Sequence, residues 1–321
     1  MPLHPQAQAI LEAVESMGLP PIEAMSIEEI RGTVAAIGNF MVPVEEVASV
    51  VDTIVPADHA DVPLRIYTPA EEGDEGGLRP GILYFHGGGF GSGSIDVVDP
   101  LCRALANRSG CVVISVGYRL APEYPYPAAV TDAYTATVWI HAKGVVFGID
   151  TERLAVMGDS AGATLATVTS MILRDKGELA KFSLQVLVYP VTDMATDQSQ
   201  SRQELAEGYL LTTALMDLYA ENYIGGEAEQ AADPYVSPLF MENLSNLPAA
   251  IIVVAEYDPL RDEGIEYATR LKNAGNFVDL RREQGMIHGF FWMGGAIDRG
   301  RELLDELGHD LRQSLVEAEI Y

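Results

Sequence analysis

Cysteine is nearly absent: Cys102 and Cys111 are the only two in 321 residues. They lack the spacing of a metal site, and one falls in an expected helix while the other opens an expected strand. Two reduced, buried thiols are the favoured reading over a disulfide. Basic residues are also scarce. Twenty Lys and Arg, of which only Lys143, Lys176, Lys181 and Lys272 are lysines, stand against 47 Asp and Glu, leaving a net charge of −27. Such a surface repels phosphate backbones and anionic lipid headgroups, which argues against a nucleic-acid or membrane partner. The acidity reads first as a solvated surface and second as adaptation to high salt. No apolar run reaches the roughly 18 uncharged residues that a membrane span needs, and the strongest, Leu247 to Ala255, is too short. Met1 to Glu12 have neither the basic start nor the apolar core of a signal peptide, so a reducing cytoplasm is the expected location.

What the chain does have is an ordinary core composition, 48% hydrophobic and 21% charged, enough for two domains or one large α/β domain with an appendage. Ile10, Leu11, Val14 and Met17 share one helical face, and Ser26 with Glu29 forms a capping box that opens a second helix through Ile27, Ile30 and Val34. Val47–Val55 and Val62–Tyr67 alternate like an antiparallel strand pair, with Pro56 to Asp61 as the turn. The acidic, Gly-rich segment from Ala70 to Pro80 reads as a surface loop. Beyond it, short apolar strands alternate with helical segments: Gly81–Phe85, Cys111–Gly117, Leu154–Met157, Leu184–Tyr189, Ile251–Tyr257 and Phe277–Arg281. That rhythm predicts an α/β fold with a mostly parallel central sheet flanked by helices. Residues 194–223 interrupt it with Leu205, Tyr209, Leu210, Leu211, Leu215 and Tyr219, and read as a helical insertion.

Chemistry concentrates at a few turns. Gly158-Asp159-Ser160-Ala161-Gly162 follows a strand and precedes a helix, the setting in which a serine is thrust clear of a sheet on a sharp turn relieved by small neighbours. A serine hydroxyl needs a base. Of the six histidines, His4, His59, His141 and His309 have bland surface readings, and His86 sits in a glycine run. His288 lies just beyond the last strand, where a doubly wound sheet places its active loops. The third member should be a carboxylate at a strand end: Asp258, before Pro259, is favoured over Glu256 within the strand and Asp262 in a helix's first turn. The order Ser, Asp, His is that of α/β-hydrolases. His86-Gly87-Gly88-Gly89-Phe90 follows another strand, and its glycines let N–H groups approach an oxyanion beside the N–H of Ala161.

Taken with Tyr118-Arg119-Leu120-Ala121-Pro122-Glu123, Asp258 to Gly264 and His288-Gly289-Phe290, these motifs make the chain resemble bacterial carboxylesterases of the hormone-sensitive lipase family, on the α/β-hydrolase fold. The resemblance implies Ser160, His288 and Asp258 as the catalytic triad and the N–H groups of Gly88, Gly89 and Ala161 as the oxyanion hole. His86, Gly87, Gly158, Asp159 and Gly162 then support these motifs, and Arg119, Glu123 and Asp132 form a scaffold ion network. Ala163 departs from the family's usual glycine. A helical cap from residues 1–45 and 193–226 over a core of residues 46–192 and 227–321 is also implied, as is a homodimer. No metal motif or dinucleotide fingerprint is present, and no cofactor is expected. The expected activity is hydrolysis of short- to medium-chain, small neutral carboxylic esters through an acyl-enzyme. The alternatives are a non-catalytic small-molecule receptor on the same scaffold, and an amide-directed acyl hydrolase or acyltransferase.

Overall fold

The computed structural model describes residues 2–70, 77–178, 181–196 and 198–317. Most of the expected surface loop after Ala70 lies outside the described residues. Two helices come first, α1 (Pro5–Ser16) and α2 (Ile27–Ile37), followed by β1 (Ser49–Val55), β2 (Val62–Thr68) and β3 (Arg79–Phe85). Strands and helices then alternate: α3 (Asp99–Ser109), β4 (Val112–Val116), α4 (Ala128–Lys143), β5 (Ile149–Asp159), α5 (Ala161–Lys176) and β6 (Leu184–Val188). The chain continues through α6 (Gln200–Glu204), α7 (Thr213–Ile224), β7 (Ala249–Tyr257), α8 (Arg261–Asn273), β8 (Val278–Ile287) and α9 (Asp298–Leu315).

All strands join one sheet in the order β1-β2-β4-β3-β5-β6-β7-β8. The first two hairpin-linked strands pair antiparallel, β2 pairs antiparallel with β4, and every pairing from β4 to β8 is parallel. Successive side chains of a strand face opposite sides of a sheet, and both sides are filled here. Leu83 and Phe85 of β3 pack with α4, α5 and α8, whereas Ile82 and Tyr84 pack with α3, α9 and α1. This double cover explains the unbroken apolar runs of the central strands. Both cysteines are free and buried.

One strand outruns its expected outline. β8 continues past Arg281 to Ile287, because its alternating charges are paired at the sheet edge: Arg281 binds Asp279 and Asp310, and Glu283 binds Arg299. The insertion is helical as expected, in two pieces, α6 and α7: Gly208 and Leu210 between them take positive φ of 87° and 67°, and Thr212 caps a fresh start at Leu215 N. The expected cap segments also take different seats. Ala7 and Ile10 of α1 bury against the β8 side of the core, with His4 N donating to Gly285 O at 3.0 Å. The capping box of α2 forms as expected, and Val34 and Ile37 of that helix face the cavity above Ser160.

Arg119 and Asp132 pair as expected, the fully buried carboxylate of Asp132 taking the Arg119 guanidinium at 2.9 Å and the Arg119 N–H at 2.9 Å. Glu123 faces away toward α2 and binds Arg31 instead, while the imidazole of His59 lies 3.0 Å from Asp132. Removing one partner of a buried pair strands the other without solvent. Asp132→Ala is therefore expected to lower unfolding free energy by about 3 kcal/mol, checked by urea denaturation beside Glu123→Ala, which should change it by less than about 1 kcal/mol.

Candidate active site

Parallel strands deliver their following loops to one end of the sheet, and four of those loops meet. β5 leads into Ser160, β7 into Asp258, β8 into His288 and β3 into the glycine loop. At the turn out of β5, Ser160 adopts φ 53° and ψ −123°, a conformation that L-residues tolerate only under constraint. The constraint is close packing: a Cβ on Gly158 would overlap the Gly162 carbonyl group, and one on Gly162 would overlap the Phe85 carbonyl oxygen. Ala163, the departure from the family glycine, is fully buried in the core.

The strained turn aims Ser160 Oγ at His288 Nε2, 3.1 Å away. The other ring nitrogen, Nδ1, lies 2.7 Å from Asp258 Oδ2. Asp258 is fully buried, and its second oxygen accepts the Leu260 N–H at 2.9 Å. The two competing carboxylates are engaged elsewhere: Glu256 accepts from Gly285 N, and Asp262 accepts from Ser201 N and binds Arg261. Beneath the imidazole the Tyr189 ring lies with its centroid 4.5 Å away, which limits rotation of the histidine.

Gly88 and Gly89 line the cavity with Ser160 and His288, at φ of 120° and 61°. Their N–H groups take no carbonyl partner among the described residues. Ala161 follows Ser160 as the first, fully buried residue of α5. His86 makes no hydrogen bond to Ser160; its backbone packs against the Gly162 turn. It is buried and stacked on Tyr118 at 4.4 Å, Nδ1 lies 2.8 Å from Gly87 O, and burial pushes its pKa down to about 4. Gly87 N donates to Asp159 Oδ1 at 3.0 Å, and the same oxygen accepts Tyr84 OH at 2.5 Å. Asp159 thus ties the glycine loop to the serine turn.

Sequence reasoning missed two residues that reach this loop from outside the sheet. Tyr219 of α7 lies against Gly89, where any Cβ would strike its ring, and its hydroxyl is 2.8 Å from Ser92 Oγ, which donates to Gly88 O. Arg31 of α2 donates to Gly91 O at 2.8 Å and Ala121 O at 3.0 Å while pairing with Glu123. Neither carries a local motif, since each acts on a segment 60 or more residues distant in sequence. Among the described residues no cluster of His, Cys, Asp or Glu is arranged to hold a metal ion, and no helix is long and apolar enough to cross a membrane.

Burial raises the Asp159 carboxyl to about 6 from an ordinary 3.8. Because the folded-state value is the higher one, the contribution of this group to stability is complete below about pH 4 and is lost as pH rises through about 6. Asp159→Asn keeps an oxygen acceptor without the charge. The thermal midpoint of the variant should therefore improve relative to the unaltered protein between pH 4.5 and 7.5, a comparison made by calorimetry; a constant difference would contradict it.

Residues 82–292 match the family model described as alpha/beta hydrolase fold. The chain is 38% identical over 317 residues to the carboxylic ester hydrolase LipN of Mycobacterium tuberculosis, covering 95% of this chain and 82% of that one. It is 37% identical over 321 residues to the ethyl acetate hydrolase of Pseudomonas putida, covering 98% and 100%. The solved hyperthermophilic esterase of the archaeon Pyrobaculum calidifontis superposes with a TM-score of 0.91 at 38% identity, over 98% of this chain and 100% of that one. With its sheet order, its serine turn and these relatives in agreement, the chain belongs to the alpha/beta hydrolase fold family.

Proposed function

We propose that the protein is a serine carboxylesterase acting on small neutral esters. The observation that carries this reading is the continuous hydrogen-bonded line from Ser160 Oγ through His288 to the buried Asp258, 3.1 Å and 2.7 Å in its two links. Relatives at 37% and 38% identity named for ester hydrolysis support the reaction class.

In this mechanism His288 Nε2 takes the hydroxyl proton as Ser160 Oγ bonds to the ester carbonyl carbon. Asp258 accepts Nδ1–H, holding the imidazole in the tautomer whose Nε2 is free to act as base, and offsets the positive charge that forms. The carbonyl oxygen becomes an oxyanion facing the N–H groups of Gly88, Gly89 and Ala161. His288 then passes the proton to the leaving alcohol oxygen as the tetrahedral adduct collapses. Water repeats the sequence on the acyl-enzyme, releasing the acid and restoring Ser160.

The cavity above Ser160 has a volume of about 130 Å³ and a mostly apolar lining that includes Val34 and Ile37 of α2 and Leu211, Leu215 and Met216 of the insertion. We read α2 and residues 193–226 as a cap that limits the substrate, and the small volume as the basis of a preference for short to medium acyl chains. An apolar lining in a chain of net charge −27 favours uncharged esters.

Ser160→Ala should lower turnover of a nitrophenyl ester on the order of a million-fold while leaving the circular dichroism unchanged. Retained hydrolysis by a folded variant would overturn the reading, and matched amides in the same assay test the amide-directed alternative. Asp258→Asn is expected to lower kcat roughly ten-thousand-fold through the wrong imidazole tautomer. By contrast, Asp262→Asn, which weakens the bond from Ser201 N, should alter stability with little effect on kcat. A larger kinetic loss at Asp262 would reassign the acid.

A further inference from the structure

A second cavity adjoins the catalytic one. It has a volume of about 370 Å³ and lies among α1, α2 and the turn between them, lined by Val14, Met17, Met25, Thr33, Ala36 and Phe40. Met17 and Leu19 at its edge are 53% and 43% exposed, so the cavity opens to solvent. Ile37 and Leu210 belong to the walls of both cavities and therefore form the partition between them.

Leu210 stands there at a backbone cost. Its φ is 67°, in the left-handed region where a branched side chain is strained and where glycine would be free. Such strain persists where the surroundings hold the residue for its side chain, and here the side chain separates two apolar spaces. Size points the same way. A cavity of roughly 150 Å³ holds one benzene-sized molecule, so the catalytic cavity of about 130 Å³ cannot enclose both halves of an ester larger than that.

The position of the partition identifies the half that leaves. The alcohol oxygen must lie by His288 Nε2 to receive its proton, whereas the carbonyl oxygen faces the glycine loop and Tyr219 on the other side. A Cβ placed on Gly289, next to the base, would be 3.7 Å from Leu210 Cδ2. The partition thus stands on the alcohol side. Glu29, its carboxylate held by Ser26 N–H and Oγ–H, also lines the second cavity and disfavours an anionic tail.

Building on ester hydrolysis at Ser160, we propose that the alcohol moiety of the substrate passes between Ile37 and Leu210 into this second cavity, so that the protein selects esters of extended, uncharged, apolar alcohols. The acyl group stays in the catalytic cavity and remains short.

The test compares kcat/KM for n-alkyl acetates from ethyl to octyl. For the unaltered protein it should rise up to about fourfold per added methylene once the chain enters the second cavity. Ala36→Trp fills that cavity from an exposed helical position outside the catalytic one, and should lower the octyl-to-ethyl ratio about tenfold or more. Thr33→Phe gives the same reading should the first variant fold poorly, and Leu210→Gly, which removes the partition and relieves its backbone, should raise the ratio. A ratio unchanged in the filled variants overturns the proposal. So does an unchanged ratio accompanied by loss of a dimer in light scattering, which would give the cavity to a second copy of the chain. Hydrolysis of ethyl acetate by the unaltered protein separates either failure from a failure of the esterase reading.

Discussion

Backbone contact between α5 and β3 is the constraint on which the rest depends. Gly162 lies so close to the Phe85 carbonyl that no side chain fits between them, and Gly158 meets the same helix turn from below. This closeness holds Ser160 at a positive φ of 53° and its hydroxyl above the sheet. It also brings the glycine loop, which continues directly from Phe85, beside the serine. A helix packed at ordinary distance would separate Ser160 from the glycine loop; in the proposed esterase mechanism, electrostatic stabilisation of the developing charge falls away steeply when its donors are misplaced.

Two buried aspartates serve the site in different ways because their partners differ. Asp258 meets an imidazole and one backbone N–H, an arrangement that fixes the orientation of the ring. Asp159, one residue before the serine, meets a phenol and the Gly87 N–H, and its carboxyl is raised to about 6 by burial. It holds two loops together and makes no hydrogen bond to Ser160 or His288 among the described residues. Two buried carboxylates at the ends of strands in one sheet therefore carry unlike roles, decided by which donors the fold aims at each.

Segments outside the sheet act on the same loop from above. Tyr219 rests on Gly89 and, through Ser92, on the Gly88 carbonyl, and Arg31 anchors α2 to Gly91 and Ala121. Both α2 and α7 are thereby in direct contact with the glycine loop and the residues that follow it. The helices that line the cavity above Ser160 are therefore also the ones that touch the glycine loop.

Much of this was legible in the residues because it is encoded locally. A glycine-flanked serine between a strand and a helix, a triple glycine after a strand, a proline that ends a strand after Asp258, and the Ser26 and Glu29 capping box each restrict the backbone within a few residues, whatever surrounds them. The charged strand β8 was read short because its polar alternation finds partners in Arg299 and Asp310 on α9. The insertion is legible as helical, but periodicity does not register the positive φ of Leu210, which lies in the break between α6 and α7. Only tertiary packing decided that Glu123 turns to Arg31 while His59 joins Asp132, that α1 seats on β8 while α2 faces the cavity, that Glu256 and Asp262 are engaged elsewhere, and that Ile37 and Leu210 stand between two apolar spaces. These outcomes rest on side chains distant in sequence competing for the same neighbours, and sequence pattern records which residues a backbone tolerates but not which partner each side chain meets.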